Sequence, residues 1–168
     1  MTSVQTRTAI LDEEGVKRKI RRMALEVAEQ NAGEKELVLA GIVGNGLTVA
    51  KCIAEELKKI NNTSVTVITI ELNKREPADV NLQPSIDVKE RIVIITDDVA
   101  NTGKTMFYAL KPFLGSAPKK VQTLALVERS HKLFPIQTDY TGLSITTTLQ
   151  EHIAVETEGE SILGAWLY

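Results

Sequence analysis

Short apolar runs alternate along the chain with stretches in which apolar residues recur every three or four positions. The runs are residues 36–43 (ELVLAGIV), 65–72 (VTVITIEL), 92–95 (IVII) and 121–128 (VQTLALVE). Their length and β-branched content predict strands, and the unbroken run at 92–95 suits a strand covered on both faces. Val16, Ile20, Met23 and Val27 form one stripe and predict an amphipathic helix over 12–31, capped by Asp12 and ended by Gly33. After Gly44-Asn45-Gly46, the residues Leu47, Ala50, Ala54 and Leu57 set a second helical stripe. A third helix is expected from Met106, closed by Lys111-Pro112 and Gly115, because the residue before proline is pushed away from the helical region. Residues 73–90, with Lys74, Arg75, Pro77 and Pro84, form a polar connection whose length suggests a lid or binding segment. Short strands are expected around 145–148, 152–156 and 166–168. Strands alternating with helices predict an α/β fold with a parallel sheet and right-handed crossovers.

Composition narrows the function classes. At 168 residues, 43% hydrophobic and 25% charged, the chain has room for one domain, 1–168, that buries most of its apolar surface. No apolar stretch approaches the roughly 20 residues of a membrane helix. The amino terminus lacks the basic-then-apolar layout of a secretory leader, so a cytoplasmic location is expected. Cys52 is the single cysteine, which rules out an internal disulfide. His131 and His152 have no partner at zinc-ligand spacing. A net charge of -2 argues against broad non-specific nucleic-acid binding. The first helix nevertheless carries Lys17, Arg18, Lys19, Arg21 and Arg22 beside Glu14 and Glu26. Two readings stand: a solvated face with ion pairs worth a few tenths of a kcal/mol each, or a basic surface that meets phosphate.

The chemistry concentrates in residues 91–106, RIVIITDDVANTGKTM. Asp97 and Asp98 stand where the apolar strand is expected to end, followed by a polar loop and the start of a helix. Gly103-Lys104-Thr105 invites comparison with a nucleoside triphosphate loop, but the glycine required five positions earlier is Asp98, and a carboxylate there would repel a phosphate chain. Loop amides at a helix start, with the Thr102 and Thr105 hydroxyls, suit a single phosphate dianion. The acid pair suits two vicinal ribose hydroxyls, directly or through Mg²⁺. One nucleotide-sized ligand satisfies both halves.

With those residues in place, VIITDDVANTGKT resembles the phosphoribosyl pyrophosphate signature of type I phosphoribosyltransferases. ERSHKLFPIQTDYTGLSI, at 128–145, is similar to the corresponding segment of the pyrimidine operon attenuation regulator and uracil phosphoribosyltransferase branch. The resemblance spans about residues 10–156. It implies that fold, with a mainly parallel sheet, flanking helices and a small hood. It also implies Mg²⁺-dependent transfer of phosphoribosyl from phosphoribosyl pyrophosphate to a nucleobase such as uracil, in a homodimer. By the same resemblance, Asp97 and Asp98 hold the ribose hydroxyls and the metal, and Ala100, Asn101, Thr102, Gly103, Lys104 and Thr105 cradle the 5′-phosphate. Val43, Gly44, Asn45 and Gly46 face the pyrophosphate, Lys74 and Arg75 close over it, and Arg129, His131 and Tyr140 serve the base side.

The chain departs from the family pattern where members usually carry Lys-Thr-Arg-Gly, and here Val43-Gly44-Asn45-Gly46 lacks both cations. Each lost charge-assisted contact costs roughly 1.5 to 3 kcal/mol, which implies slowed turnover. The alternative is a non-catalytic regulator that keeps the nucleotide site as a sensor and binds RNA through the basic helix face.

Overall fold

The computed structural model describes residues 6–168; the residues before them, the first part of the amino-terminal stretch read for a leader, lie outside the described residues. The chain runs β1 (Thr8–Leu11), α1 (Glu13–Gln30), β2 (Glu36–Ile42), α2 (Asn45–Ile60), β3 (Ser64–Leu72), β4 (Val80–Gln83) and β5 (Ile92–Ala100). It continues through α3 (Lys104–Ala109), α4 (Lys111–Leu114), β6 (Lys120–Arg129), β7 (Tyr140–Ile145), β8 (Ile153–Glu158) and β9 (Ser161–Leu167).

One sheet has the order β4-β3-β2-β5-β6-β7. Its strands pair in parallel except β4, which runs antiparallel to β3. The expected connection over 73–90 is therefore not one continuous loop, since Val80–Gln83 add an edge strand. With only four residues, that strand offers too short an alternation to recognise in sequence.

The β5 run is apolar on both faces because both are covered. Ile92 and Ile94 join Leu37, Leu39, Leu124 and Leu126 beneath α1 and α2, while Val93 and Ile95 join Val38, Ala40 and Ile42 against Met106, Ala109 and Phe113 of α3 and α4. Each such side chain contributes about 1.5–3 kcal/mol by leaving water. These layers hold the carboxyl ends of β2 and β5 rigid.

Asp12 caps α1 as expected, accepting from the Gly15 amide at 2.6 Å. Asn31 ends that helix, and Gly33, with φ +84°, turns the chain beyond it. The third helix breaks at Leu110 and restarts as α4 rather than stopping before Pro112. Proline is tolerated there because an amide in the first helical turn would lack a partner anyway.

A separate antiparallel sheet, β1-β9-β8, forms the small hood. The short strands expected near 145 and 166–168 are the ends of β7 and of the longer β9, and β1 carried no usable pattern. Among the described residues, no helix is long and apolar enough to cross a membrane.

Candidate active site

The strand order reverses between β2 and β5: from β2 the chain crosses to β3 on one side, and from β5 it steps to β6 and β7 on the other. A crevice opens outside the carboxyl ends of strands at such a switch point. The turn after β2 and the loop after β5 meet there. Gly46 makes the contact close, because a Cβ at that position would lie 2.8 Å from the Thr96 carbonyl oxygen and 3.2 Å from the Asp97 Cα. Thr96 also donates its hydroxyl to the Gly46 carbonyl at 2.8 Å. Sequence offers no signal for that buried strut in the middle of an apolar strand.

Asp97 and Asp98 lie within β5, which continues to Ala100, and not past its end as expected. Pairing of Asp97, Val99 and Ala100 with β6 extends the strand through residues whose polarity suggested a loop. Both acids are buried, at 2% and 9% exposure. Asp97 Oδ1 accepts from the Asp98 amide at 2.9 Å and from Lys74 Nζ at 3.3 Å. Asp98 Oδ1 accepts from the Val99 amide at 2.8 Å and lies 3.9 Å from Lys74 Nζ. Burial, reinforced by the adjacent Asp98 charge, pushes the Asp97 carboxyl up to about 8 against the opposing pull of Lys74. Such a group carries a proton near neutrality and gives it up when a cation arrives.

Residues 97 and 99–106 line a hollow of ≈ 40 Å³. The amides of Thr102, Gly103 and Thr105 find no acceptor among the described residues, so they are free to face an anion. Gly103 adopts φ +85° to turn the loop into α3. Segment 130–137 holds the loop from outside. The Leu133 and Phe134 amides donate to the Thr102 carbonyl at 2.9 and 3.2 Å, and Lys132 Nζ reaches the Ala100 carbonyl at 3.3 Å. Phe134 packs against Phe107 and Tyr108 of α3, with ring centroids 5.5 and 6.3 Å away. Lys132 is a supporting residue with no local signal in the sequence: it pairs with Glu128 at 3.2 Å, but a spacing of four brings side chains together regularly only on a helix, and here the chain is leaving β6.

The other candidates scatter. Arg129 is buried against the loop, its Nη1 donating to Asn101 Oδ1 at 3.2 Å and its Nη2 to the Thr148 carbonyl. His131 Nε2 bonds the Thr147 carbonyl at 3.1 Å. The structure does not bring Tyr140 to the crevice. Tyr140 begins β7 at the far end of the sheet, 1% exposed, with its hydroxyl donating to Gln122 Oε1 at 2.8 Å and accepting from Asn31 Nδ2 at 3.3 Å. Its aromatic ring fills the core beside α1, which a motif match cannot reveal. Lys74 reaches the acids, whereas the exposed Arg75 makes no side-chain bond to them. Val43 is 39% exposed at the crevice mouth. A larger hollow of ≈ 240 Å³ lies between α1, α2 and β9, but its two lysines, Lys17 and Lys51, are already paired with Glu13 and Glu160, and Glu55 and Glu56 leave it net acidic.

Set beside known proteins, this arrangement has a clear kin group. The phosphoribosyl transferase domain family matches residues 6–159. The chain belongs to that family. Relatives of the same length class include the bifunctional protein PyrR of Staphylococcus carnosus, 36% identical with 90% of this chain and 94% of that protein aligned. The Streptococcus pneumoniae protein of the same name is 38% identical, with 88% of each chain aligned. Among solved structures, the hypoxanthine phosphoribosyltransferase of Trypanosoma cruzi superposes with a TM-score of 0.77 over 94% of this chain and 95% of that one, at 17% identity. A Bacillus anthracis hypoxanthine-guanine phosphoribosyltransferase gives 0.74 over 94% and 96%, at 19% identity. The type I phosphoribosyltransferase fold is thus the fold of this chain, and the protein is a phosphoribosyltransferase.

Proposed function

We propose that the chain acts as a single phosphoribosyltransferase domain, 1–168, moving phosphoribosyl from phosphoribosyl pyrophosphate to a nucleobase, with uracil the first acceptor to test. One observation carries this reading: two buried acids at the switch point run directly into a loop in which the amides of Thr102, Gly103 and Thr105 find no acceptor among the described residues, while its outer side is braced by the protein. The amides of Thr102, Gly103 and Thr105 suit the 5′-phosphate, and Asp97 and Asp98 suit the ribose hydroxyls. In the transfer, the C1–oxygen bond to pyrophosphate breaks and a bond from C1 to a base nitrogen forms. The rate depends on stabilising the leaving group's charge and on excluding water more than on a strong base.

The residues fit a divalent cation borne by substrate. Among the described residues no cluster of three or more His, Cys, Asp or Glu side chains could hold a metal by itself, and Mg²⁺ is commonly bound by one or two carboxylates plus substrate oxygens and water. Asp97 and Asp98 would hold it, where it supplies positive charge to the departing pyrophosphate. Lys74, half-exposed and two residues beyond β3, sits within reach of the same leaving group. The backbone amides of Asn45 and Gly46 at the start of α2, which find no acceptor among the described residues, offer a second anion contact.

Pairing within the protein weakens the RNA-binding reading of α1. Lys17 bonds Glu13 and Glu14, Arg21 bonds Glu56, and Arg22 bonds Glu26 and the Thr141 and Gly142 carbonyls. Three of the five cations are thus committed to the protein, while Arg18 and Lys19 make no ion pair among the described residues. A cytoplasmic homodimer accords with the family. Incubating the protein with phosphoribosyl pyrophosphate, Mg²⁺ and uracil, hypoxanthine or guanine tests the assignment: pyrophosphate release with one base supports it, and none with any base, in a protein shown to be folded, refutes it.

A further inference from the structure

Asn45 was expected to face pyrophosphate, yet its side chain is already fully engaged. Its two amide hydrogens go to Asp98 Oδ2 at 3.0 Å and to the Val155 carbonyl at 2.9 Å, and its Oδ1 accepts the Thr157 hydroxyl at 3.2 Å. Chemistry fixes the assignment of oxygen and nitrogen. A flipped amide would set Oδ1 against two acceptors, the Asp98 carboxylate and the Val155 carbonyl.

The backbone on either side holds this aim. Gly44, at φ +89°, turns the chain into α2, and Gly46 is pressed against β5 and bonded by Thr96. Asn45 is the first residue of α2, so its side chain leaves a helix whose start cannot shift relative to Asp98.

The partners explain what the side chain does. Asp98 has one oxygen on the Val99 amide and the other on Asn45, which together fix the plane of its carboxylate. A cation at position 45 would also orient Asp98 but would neutralise it. A neutral amide orients the carboxylate and leaves its charge for the ligand. The second hydrogen of Nδ2 and the Oδ1 acceptor both hold β8, through the Val155 carbonyl and the Thr157 hydroxyl, so the same residue ties the hood sheet to the rim of the crevice.

We infer that Asn45 is a positioning residue: its side chain sets the Asp98 carboxylate for the ribose hydroxyls and docks the hood strand β8 beside it, and does not itself bind pyrophosphate. This rests on the phosphoribosyl-transfer reading of the site and assigns that site a further component.

Three variants separate positioning from simple docking, with ribose 5-phosphate without metal and phosphoribosyl pyrophosphate with Mg²⁺ as titrants in calorimetry. Thr157→Val removes one of the two bonds to the hood and leaves the bond to Asp98; it should lower the melting temperature and leave both affinities within about twofold. Asn45→Ala removes both ends and should weaken both ligands by about tenfold or more. Asn45→Asp keeps an acceptor for Thr157 but loses the donor to Asp98 and adds a like charge, so it should bind metal-free ribose 5-phosphate more weakly than Asn45→Ala. Equal loss in Thr157→Val and Asn45→Ala, or unchanged affinities in a folded Asn45→Asp, would overturn the inference and leave the transferase reading intact. If the unmodified protein binds neither ligand, the transferase reading fails and the inference with it.

Discussion

Residues 43–46 and 97–105 sit at the same end of neighbouring parallel strands, and each stretch contains a glycine with φ near +85 to +89°. They are held in different ways. The β5 loop is supported from outside: segment 130–137 caps its carbonyls, Arg129 ties Asn101, and the amides of Thr102, Gly103 and Thr105 find no acceptor among the described residues beside the hollow. The β2 turn is supported from inside, by Thr96 on Gly46 and by Asn45 on Asp98 and β8. The difference teaches where recognition resides. The loop presents donors to a ligand, while the turn spends its one polar side chain on the protein. Phosphate binding should therefore survive changes in the turn better than changes in the loop, and contact with the pyrophosphate should rest on backbone amides and Lys74.

The comparison breaks most sharply at Asp98, where both halves meet. Asp98→Ala should lower kcat/KM for phosphoribosyl pyrophosphate by roughly 10²- to 10³-fold, through loss of charge-assisted bonds to the ribose and release of the turn. Steady-state kinetics in a variant with a native circular dichroism spectrum would check this.

Asp97 supplies the next test, in metal-free protein. Its folded-state value of about 8 stands above the ordinary 3.8, so the folded protein keeps a proton that the unfolded chain releases. The contribution of this group to stability is full below pH 3.8, falls as the pH rises to about 8, and is constant above that. In Asp97→Asn the urea midpoint should lose that slope. An unchanged pH profile would contradict the burial argument.

The two glycines sharpen the contrast further. Gly103→Ala forces an L-residue into the left-handed region, at roughly 1–2 kcal/mol, whereas Gly44, at φ +89° and ψ -132°, lies outside that region, where an L-residue costs about 1–3 kcal/mol. Only the first adds a clash, since its Cβ would lie 2.7 Å from Ile136 Cγ2 whereas nothing approaches within 4 Å at Gly44. Chemical denaturation should find both variants destabilised, and calorimetry should find the larger loss of ribose 5-phosphate binding in Gly103→Ala, whose clash displaces the loop itself.

The smallest expected effect is a gain. Val43 is exposed, so Val43→Lys should change stability by no more than about 0.5 kcal/mol. Restoring a cation at the crevice mouth should lower KM for phosphoribosyl pyrophosphate up to about tenfold without altering KM for the base. An unchanged KM would mean that the pyrophosphate does not pass that turn.

The linear pattern decided much of this protein. Unbroken β-branched runs placed β2, β3, β5 and β6, since a strand covered on both faces needs no alternation, and stripes of three and four fixed α1 and α2. The order apolar strand, acid pair, threonine-glycine loop identified the chemistry, because those groups are contiguous and need only local geometry to meet. Tertiary structure decided what depends on distant partners. Strand β4 exists because β3 offers it an edge, and Asp97 and Asp98 belong to β5 because β6 extends the ladder past them. Tyr140, within a recognisable segment, points into a core closed by Asn31 and Gln122. Asn45, read as a ligand residue from its place in a turn, is engaged by Asp98, Val155 and Thr157 from far along the chain. A motif fixes which groups a residue carries, but the hydrogen bonds of the folded state determine whether those groups are still free for a ligand.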